Sequence, residues 1–506
     1  MYRHSEHQIL LPGDFFLPFE GKLNEKNRWV QLAFVIPWAK VEVHYRKQLR
    51  SLNRGKKAVP IRMALGALII QQRLNLSDRE TADQIMENPY LQYFIGLPGF
   101  QFEAPFHHSL MTYFRKRLNA DVILQVNEWI LSVEKEGESK DQNTDDHDDG
   151  NDSDGGHTGF NATSETVLSQ NSEHPTSSNT TVNMMMKNRG KLLLDATCAP
   201  ADIAYPTDLN LLNDAREKLE LMIDFLHEPD QGEKKKPRTY REKARREYLS
   251  VAKQRKKGAK TWRKAVGRQL RYVERDLRIL EFYRDRLKLL PSWLYRELLV
   301  IQELYRQQKE MYAKKNHRIE DRIVSISQPH VRPIVRGKAR ANVEFGAKLA
   351  ISVVDGNVRI ERLSWDSFNE GLTLQEAVER YRERYGVYPE AVLADKIYRN
   401  RVNLKYCREH NIRLSGPPLG RPPKEEVAER KREARLDASA RNAVEGKFGE
   451  GKRKYGLGLI RAKLAKTSET VIALQVLVMN LEKQLRLLYA FLWIRKTNGM
   501  NILILA

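Results

Sequence analysis

The sequence predicts a mixed α/β domain with helices covering its sheet, interrupted by a long helical insertion and preceded by an all-helical unit. Three observations predict it. Residues 343–354 and 358–363 have strand character and flank Asp355-Gly356-Asn357, a strong hairpin turn signal. Short apolar runs at 192–194, 391–394 and 412–414 alternate with helical spacing over 374–384 and 400–410, the pattern of βα units. Apolar residues at helical spacing also fill 29–49, 61–74 and 78–86, and nearly all of 209–322 reads as charged helix.

Taken in chain order, residues 1–133 form the helical unit. Ser77 stands in the N-cap position before Asp78 and Glu80, where a hydroxyl and nearby acids suit a helix start. Ser109 is placed to cap a further helix, 110–118, which carries Arg115, Lys116 and Arg117 beside Tyr113 and Phe114. Short helices followed by a basic one suit either a helix-turn-helix DNA reader or a small bundle with a solvated basic face. Residues 134–186 read as a linker. Asp145, Asp146, Asp148, Asp149, Asp152 and Asp154 crowd its first half, and Ser, Thr and Asn fill the second.

The folded domain then spans 187–495. It opens with a short buried strand ending at Asp195 and is interrupted by the basic helical insertion 209–322. Between 234 and 278, Arg255, Lys256 and Lys257 stand among many cations with Tyr240, Trp262 and Tyr272 interspersed, a composition that suits phosphate backbones. Strand character is expected at 322–327 as well. A charged helix over 425–448 and an amphipathic one over 470–494 precede a short tail, 496–506.

Composition narrows the function. The 506 residues hold 87 Lys and Arg against 65 Asp and Glu, a net charge of +22, which points to a polyanionic partner. Two cysteines, Cys198 and Cys407, supply neither a disulfide framework nor a zinc ribbon and suit a reducing cytosol. The polar first ten residues argue against a signal peptide, and no apolar run reaches membrane-spanning length.

Asp195 and Asp395 each close an apolar strand, where sites of α/β sheets assemble. Paired carboxylates repel unless a cation lies between them, and hard oxygen donors suit magnesium or manganese. Glu445 follows Arg441 by one helical turn and precedes Lys452, giving Arg-x3-Glu-x6-Lys. As a plain helix pair, Arg441 and Glu445 would contribute only a few tenths of a kcal/mol.

This array resembles DDE transposases of bacterial insertion sequences, whose catalytic domain has an RNase H-like fold. The subgroup it looks like carries a Tyr-x2-Arg-x3-Glu-x6-Lys signature, matched here at Arg441, Glu445 and Lys452, with Ala438 in the tyrosine position. Leu194-Asp195-Ala196-Thr197, the run 343–348 and the helices up to residue 118 are similar to the same family. The resemblance implies that Asp195, Asp395 and Glu445 bind two magnesium ions, with manganese as substitute, while Arg441 and Lys452 hold phosphates. It implies double-stranded DNA as element end and target, a homodimer as the active complex, and cleavage and strand transfer without a nucleotide cofactor. A bacterial, cytoplasmic protein follows from the same resemblance. An inactive or repurposed DNA-binding descendant is the alternative.

Three further patterns are set aside. The run Gly446–Lys452 imitates a phosphate loop, but Arg453 replaces the required Ser or Thr and the segment before it is helix. His107 and His108 have no ligand-spaced partners. Gly420-Arg421-Pro422-Pro423 reads as a proline linker rather than a minor-groove hook.

Overall fold

The computed structural model describes residues 11–48, 58–141, 187–230, 232–233, 235–256, 258–335, 343–416 and 427–497. Most of the expected linker, Lys257, the proline-rich loop and nearly all of the tail lie outside the described residues.

The N-terminal unit forms α1 (Arg28–Val35), α2 (Trp38–Gln48), α3 (Ile61–Leu74), α4 (Asp78–Glu87), α5 (Pro89–Phe94), α6 (Leu110–Arg117) and α7 (Ala120–Asp141). Sequence periodicity reads 29–49 as one helix. The chain instead breaks between α1 and α2, because Pro37 lacks the N–H that a continuous helix requires and serves well just before a new one. At α4, Ser77 and Glu80 form a reciprocal capping box, as the spacing predicts. The backbone of α7 continues to Asp141, into the stretch read as linker.

The sheet contains β1 (Lys191–Pro200), β2 (Arg332–Val335), β3 (Val343–Val354), β4 (Asn357–Ser364), β5 (Ala391–Leu393) and β6 (Arg413–Leu414) in the order β2-β3-β1-β5-β6, with β4 also on β3. The β3–β4 hairpin turns at Asp355-Gly356, both at positive φ, as its sequence predicts. β1 pairs antiparallel with β3 and parallel with β5. The sheet is thus mixed, consistent with an RNase H-like transposase domain.

Asp195 does not end its strand. β1 runs on to Pro200 because β3 continues beside it as far as Gly346. A Cβ at Gly346 would lie 2.1 Å from the Ala199 carbonyl oxygen, so only glycine permits that approach. The strand expected at 322–327 is absent. Its apolar residues Ile323 and Ile326 instead close the core of the insertion, which explains their burial without a sheet partner.

That insertion consists of α8 (Asp208–His227), α9 (Arg241–Ala252), α10 (Ala259–Phe282) and α11 (Ser292–Lys314) around their own apolar core. At its root, Asp208 accepts hydrogen bonds from Gln308 (2.9 Å) and Arg322 (2.7 Å). The remaining helices are α12 (Leu374–Tyr385), α13 (Arg401–Glu409), α14 (Val427–Lys454) and α15 (Ala465–Thr497).

The main core joins the N-terminal helices to one face of the sheet through α15. Buried Asn480 on α15 makes the junction specific. Its amide donates to Asn127 of α7 and to the Val358 carbonyl of β4, both at 2.7 Å, while its oxygen accepts from the Val358 N–H. Arg359 of β4 also pairs with Glu128 of α7 at 3.1 Å. Among the described residues, no helix is long and apolar enough to cross a membrane.

Candidate active site

The parallel β1–β5 register brings the two aspartates together. Leu193 stands opposite Leu393, the last paired residue of β5, and Asp195 and Asp395 each follow two residues further along their chains. Adjacent strands lie about 4.8 Å apart, and alternation puts both aspartates on the face of Leu193 and Leu393. Those leucines belong to the core cluster shared with Val444 and Phe448 of α14, so the aspartates face that helix. β5 ends at Leu393 while β1 continues, and the sheet opens there on one edge.

Arg441 reaches this opening from α14, its guanidinium 3.7 Å from the Asp395 carboxylate. Burial pushes the Asp195 carboxyl above its usual range, and the nearby charges of Glu370 and Asp395 add to the rise. A hydrogen bond from the Ala196 N–H (2.8 Å) and the Arg441 charge act the other way. Asp395 is more open, with 54% of its side chain exposed, and it caps the following 3-10 turn through the Lys396 N–H at 2.7 Å.

Glu370 is a member that sequence reasoning misses. It begins a 3-10 turn after β4, and Lys348 of β3 holds it at 2.9 Å. A Cβ on Gly371 would lie 2.6 Å from the Ile397 carbonyl, so glycine allows this turn to press against the one capped by Asp395. Buried Asn403 joins the two turns by donating to the Gly371 and Tyr398 carbonyls at 2.7 and 2.8 Å. The Tyr398 ring is fully buried beneath them. Burial and then the Glu370 charge push its hydroxyl well above the usual phenol range. The sequence carries no motif for Glu370; Lys348 on an otherwise buried strand is the sole hint.

Glu445 lies four residues beyond Arg441 on α14 and is exposed. Among the described residues, no three His, Cys, Asp or Glu side chains stand close enough together to hold a metal ion. The carboxylates of Asp195 and Asp395 nonetheless suit a hard divalent cation in kind, and the Asp395 charge that helps raise the Asp195 carboxyl is what such a cation offsets.

The other basic candidates divide sharply. Arg115 is committed inside the protein. It grips Asp78 with two bonds of 2.9 and 2.6 Å and donates to Gln71 at 3.0 Å, joining α6 to α3 and α4. Ser109 does not cap α6; its hydroxyl bonds the His107 ring at 2.8 Å. Lys116 and Arg117 are exposed, Lys116 over the Tyr113 ring. Arg255 and Lys256 are exposed in the turn between α9 and α10 rather than on a helix. Lys452 is half-buried at the far end of α14.

Two segments match known domain families. Residues 392–482, which include Asp395, Arg441, Glu445 and Lys452, match the family described as transposase DDE domain. Residues 17–117 match a second family described as transposase domain. The chain is also 38% identical over 96 residues to an uncharacterized protein, ORF8 in the nfe locus, of Rhizobium meliloti; the match covers 19% of this chain and 45% of that protein's length. No solved structure matches significantly. The two domain matches indicate a transposase. Their combination with the DDE description supports one of the DDE type found in insertion sequences.

Proposed function

We propose that the chain binds the terminal inverted repeats of an insertion sequence and catalyses strand cleavage and strand transfer at Asp195, Asp395 and Glu445. The observation that supports this reading is the parallel β1–β5 register that runs to two residues before Asp195 and Asp395, with the Arg441 guanidinium 3.7 Å from the Asp395 carboxylate. Magnesium bound there would activate the attacking water or 3′-hydroxyl and steady the departing oxygen. Asp195 and Asp395 supply two of the donor groups. Glu445 is assigned the completing donor from the Arg-x3-Glu-x6-Lys spacing and from its place within the matched DDE segment.

Arg441 orients the scissile phosphate and offsets its charge beside the carboxylates. Lys452, on the same helix, holds a phosphate further along the strand. Exchange of one phosphodiester for another needs no nucleotide. The active complex is assigned two copies of the chain, one for each element end.

The test is cleavage of a duplex carrying the inverted repeat that brackets the gene, in magnesium and in manganese. Wild type should cut, and Asp195→Asn, Asp395→Asn and Glu445→Gln should each bind the duplex but lose cleavage. A Glu445→Gln protein that cuts at the wild-type rate removes Glu445 from the site. Loss in the other two but not in Glu370→Gln keeps the pair and excludes Glu370 as its third member.

A further inference from the structure

A cleft of about 590 Å³ lies between the N-terminal helices and the turn joining α14 to α15, remote from the carboxylate pair. Five cations line it against one carboxylate, Asp78, which Arg115 already neutralises. Arg453 and Lys454 at the end of α14 and Arg461 beyond the turn are exposed along it. Gly456, at φ +80°, turns the chain so that the two sets of cations face one trough. The wall also carries Gln475. Its side-chain oxygen is buried and has no hydrogen-bond partner, and the residue is only 2% exposed.

We propose that this cleft is a second DNA-binding site, in which Arg453, Lys454 and Arg461 hold the duplex backbone on the flank of the cleavage site. The inference rests on the function proposed above and adds to it a site that no motif marks. Cations alone would suit any polyanion. The orphaned Gln475 oxygen favours a ligand that also brings donors, as the amino groups of bases and the ordered waters of a DNA groove do. A free phosphate at neutral pH brings mostly acceptors.

The geometry of α14 fixes where along the DNA the contact falls. Arg441 stands at the carboxylate pair and Lys452 at the mouth of the cleft, separated by eleven residues of continuous helix. At 1.5 Å per residue this is about 16 Å, or about five base pairs of duplex. The cleft is built from both halves of the chain, with α3, α4 and α6 on one side and α14 and α15 on the other. Bound DNA therefore bridges the N-terminal unit and the catalytic sheet.

The experiment measures binding of the full chain to a random-sequence duplex across a salt series. Three lost phosphate contacts in Arg453→Gln/Lys454→Gln/Arg461→Gln should flatten the log–log slope by about 2.7. Arg453→Lys/Arg461→Lys, which keeps the charge, should retain the wild-type slope. Removing Arg401, Lys405 and Arg408 from exposed positions on α13 serves as the control for bulk charge. In a duplex carrying the cleavage site, neutral methylphosphonate linkages about five base pairs from the cut should weaken wild type but not the triple variant. An unchanged slope in the triple variant, equal flattening in the α13 control, or equal weakening of both proteins by the neutral linkages overturns the cleft while leaving the function standing. A wild-type chain with no salt-dependent DNA binding overturns both.

Discussion

Asp195 in the sheet and Asp276 in the helical insertion are aspartates of similar electrostatic character. Burial pushes each carboxyl above its usual range, a glutamate stands near each (Glu370 and Glu220), and arginines offset part of the rise. Their surroundings differ. Asp195 shares an open sheet edge with Asp395, whose side chain is half exposed. Asp276 is sealed among α8, α9 and α10 at 0% exposure, and neither of its oxygens has a hydrogen-bond partner. Its neighbour Arg216 is equally enclosed, held to Glu220 and Asn213. A perturbed carboxylate marks a functional site only where a substrate can reach it. By that criterion the sheet edge is the candidate site, and the insertion holds a sealed, buried acid.

The largest expected effect breaks or confirms this contrast directly. Asp395→Asn should reduce DNA cleavage by about 10²–10³-fold, as loss of one well-placed electrostatic group does. Asp276→Asn should leave the cleavage rate within about threefold, a difference worth under 1 kcal/mol. Equal losses in a single-turnover assay would erase the distinction between the two aspartates.

Next comes stability against pH. The Asp276 carboxyl is raised to about 8 in the folded chain, so the folded state holds its proton where the unfolded state has released it. The stabilisation is complete below the unfolded value near 4 and declines as pH rises through about 8. Wild type should therefore lose on the order of 5 kcal/mol across that window, and Asp276→Asn should lack the loss. Chemical denaturation at pH 5 and pH 9 measures it, and parallel declines in the two proteins would contradict the assignment.

Arg115 sharpens the comparison from the other side. Arg115→Ala leaves Asp78 and Gln71 without their shared partner and should cost about 2 kcal/mol of stability. Because that guanidinium is already occupied, the salt slope of DNA binding should hardly move. A slope change of a full contact with no change in melting would return Arg115 to the DNA surface. The smallest effect concerns the insertion. Neutralising Arg255, Lys256 and Lys257 should flatten the slope by about 0.9 for each contact they make. An unchanged slope makes them solvated turn residues.

Much of the sheet was legible because its signals are local. Asp355-Gly356 dictates its hairpin, and the apolar runs before Asp195 and Asp395 give buried strands. The pairing of those two aspartates was inferable only through their contexts, since register is a long-range property. What escaped has the same cause. Glu370 joins the site through Gly371 and Asn403, contacts between separate turns that no sequence period records. The basic helix at Arg115 looked like a nucleic-acid surface because the sequence does not show Asp78 opposite it. Ile323, Val324 and Ile326 imitated a strand because burial against neighbouring elements gives the same short apolar run.

The position of α15 has a consequence for how the molecule is made. Its inner face completes the core of α1 to α7, yet it begins at Ala465, more than three hundred residues after α7 begins at Ala120. At roughly 5–20 residues per second, the earlier helices wait tens of seconds for the strip that covers them. Throughout that interval the apolar surfaces of Ile123, Val126 and Ile130 lack their final partner. The nascent chain thus carries an exposed apolar patch until α15 has been made, and the sheet cannot complete its core ahead of the helices that share it.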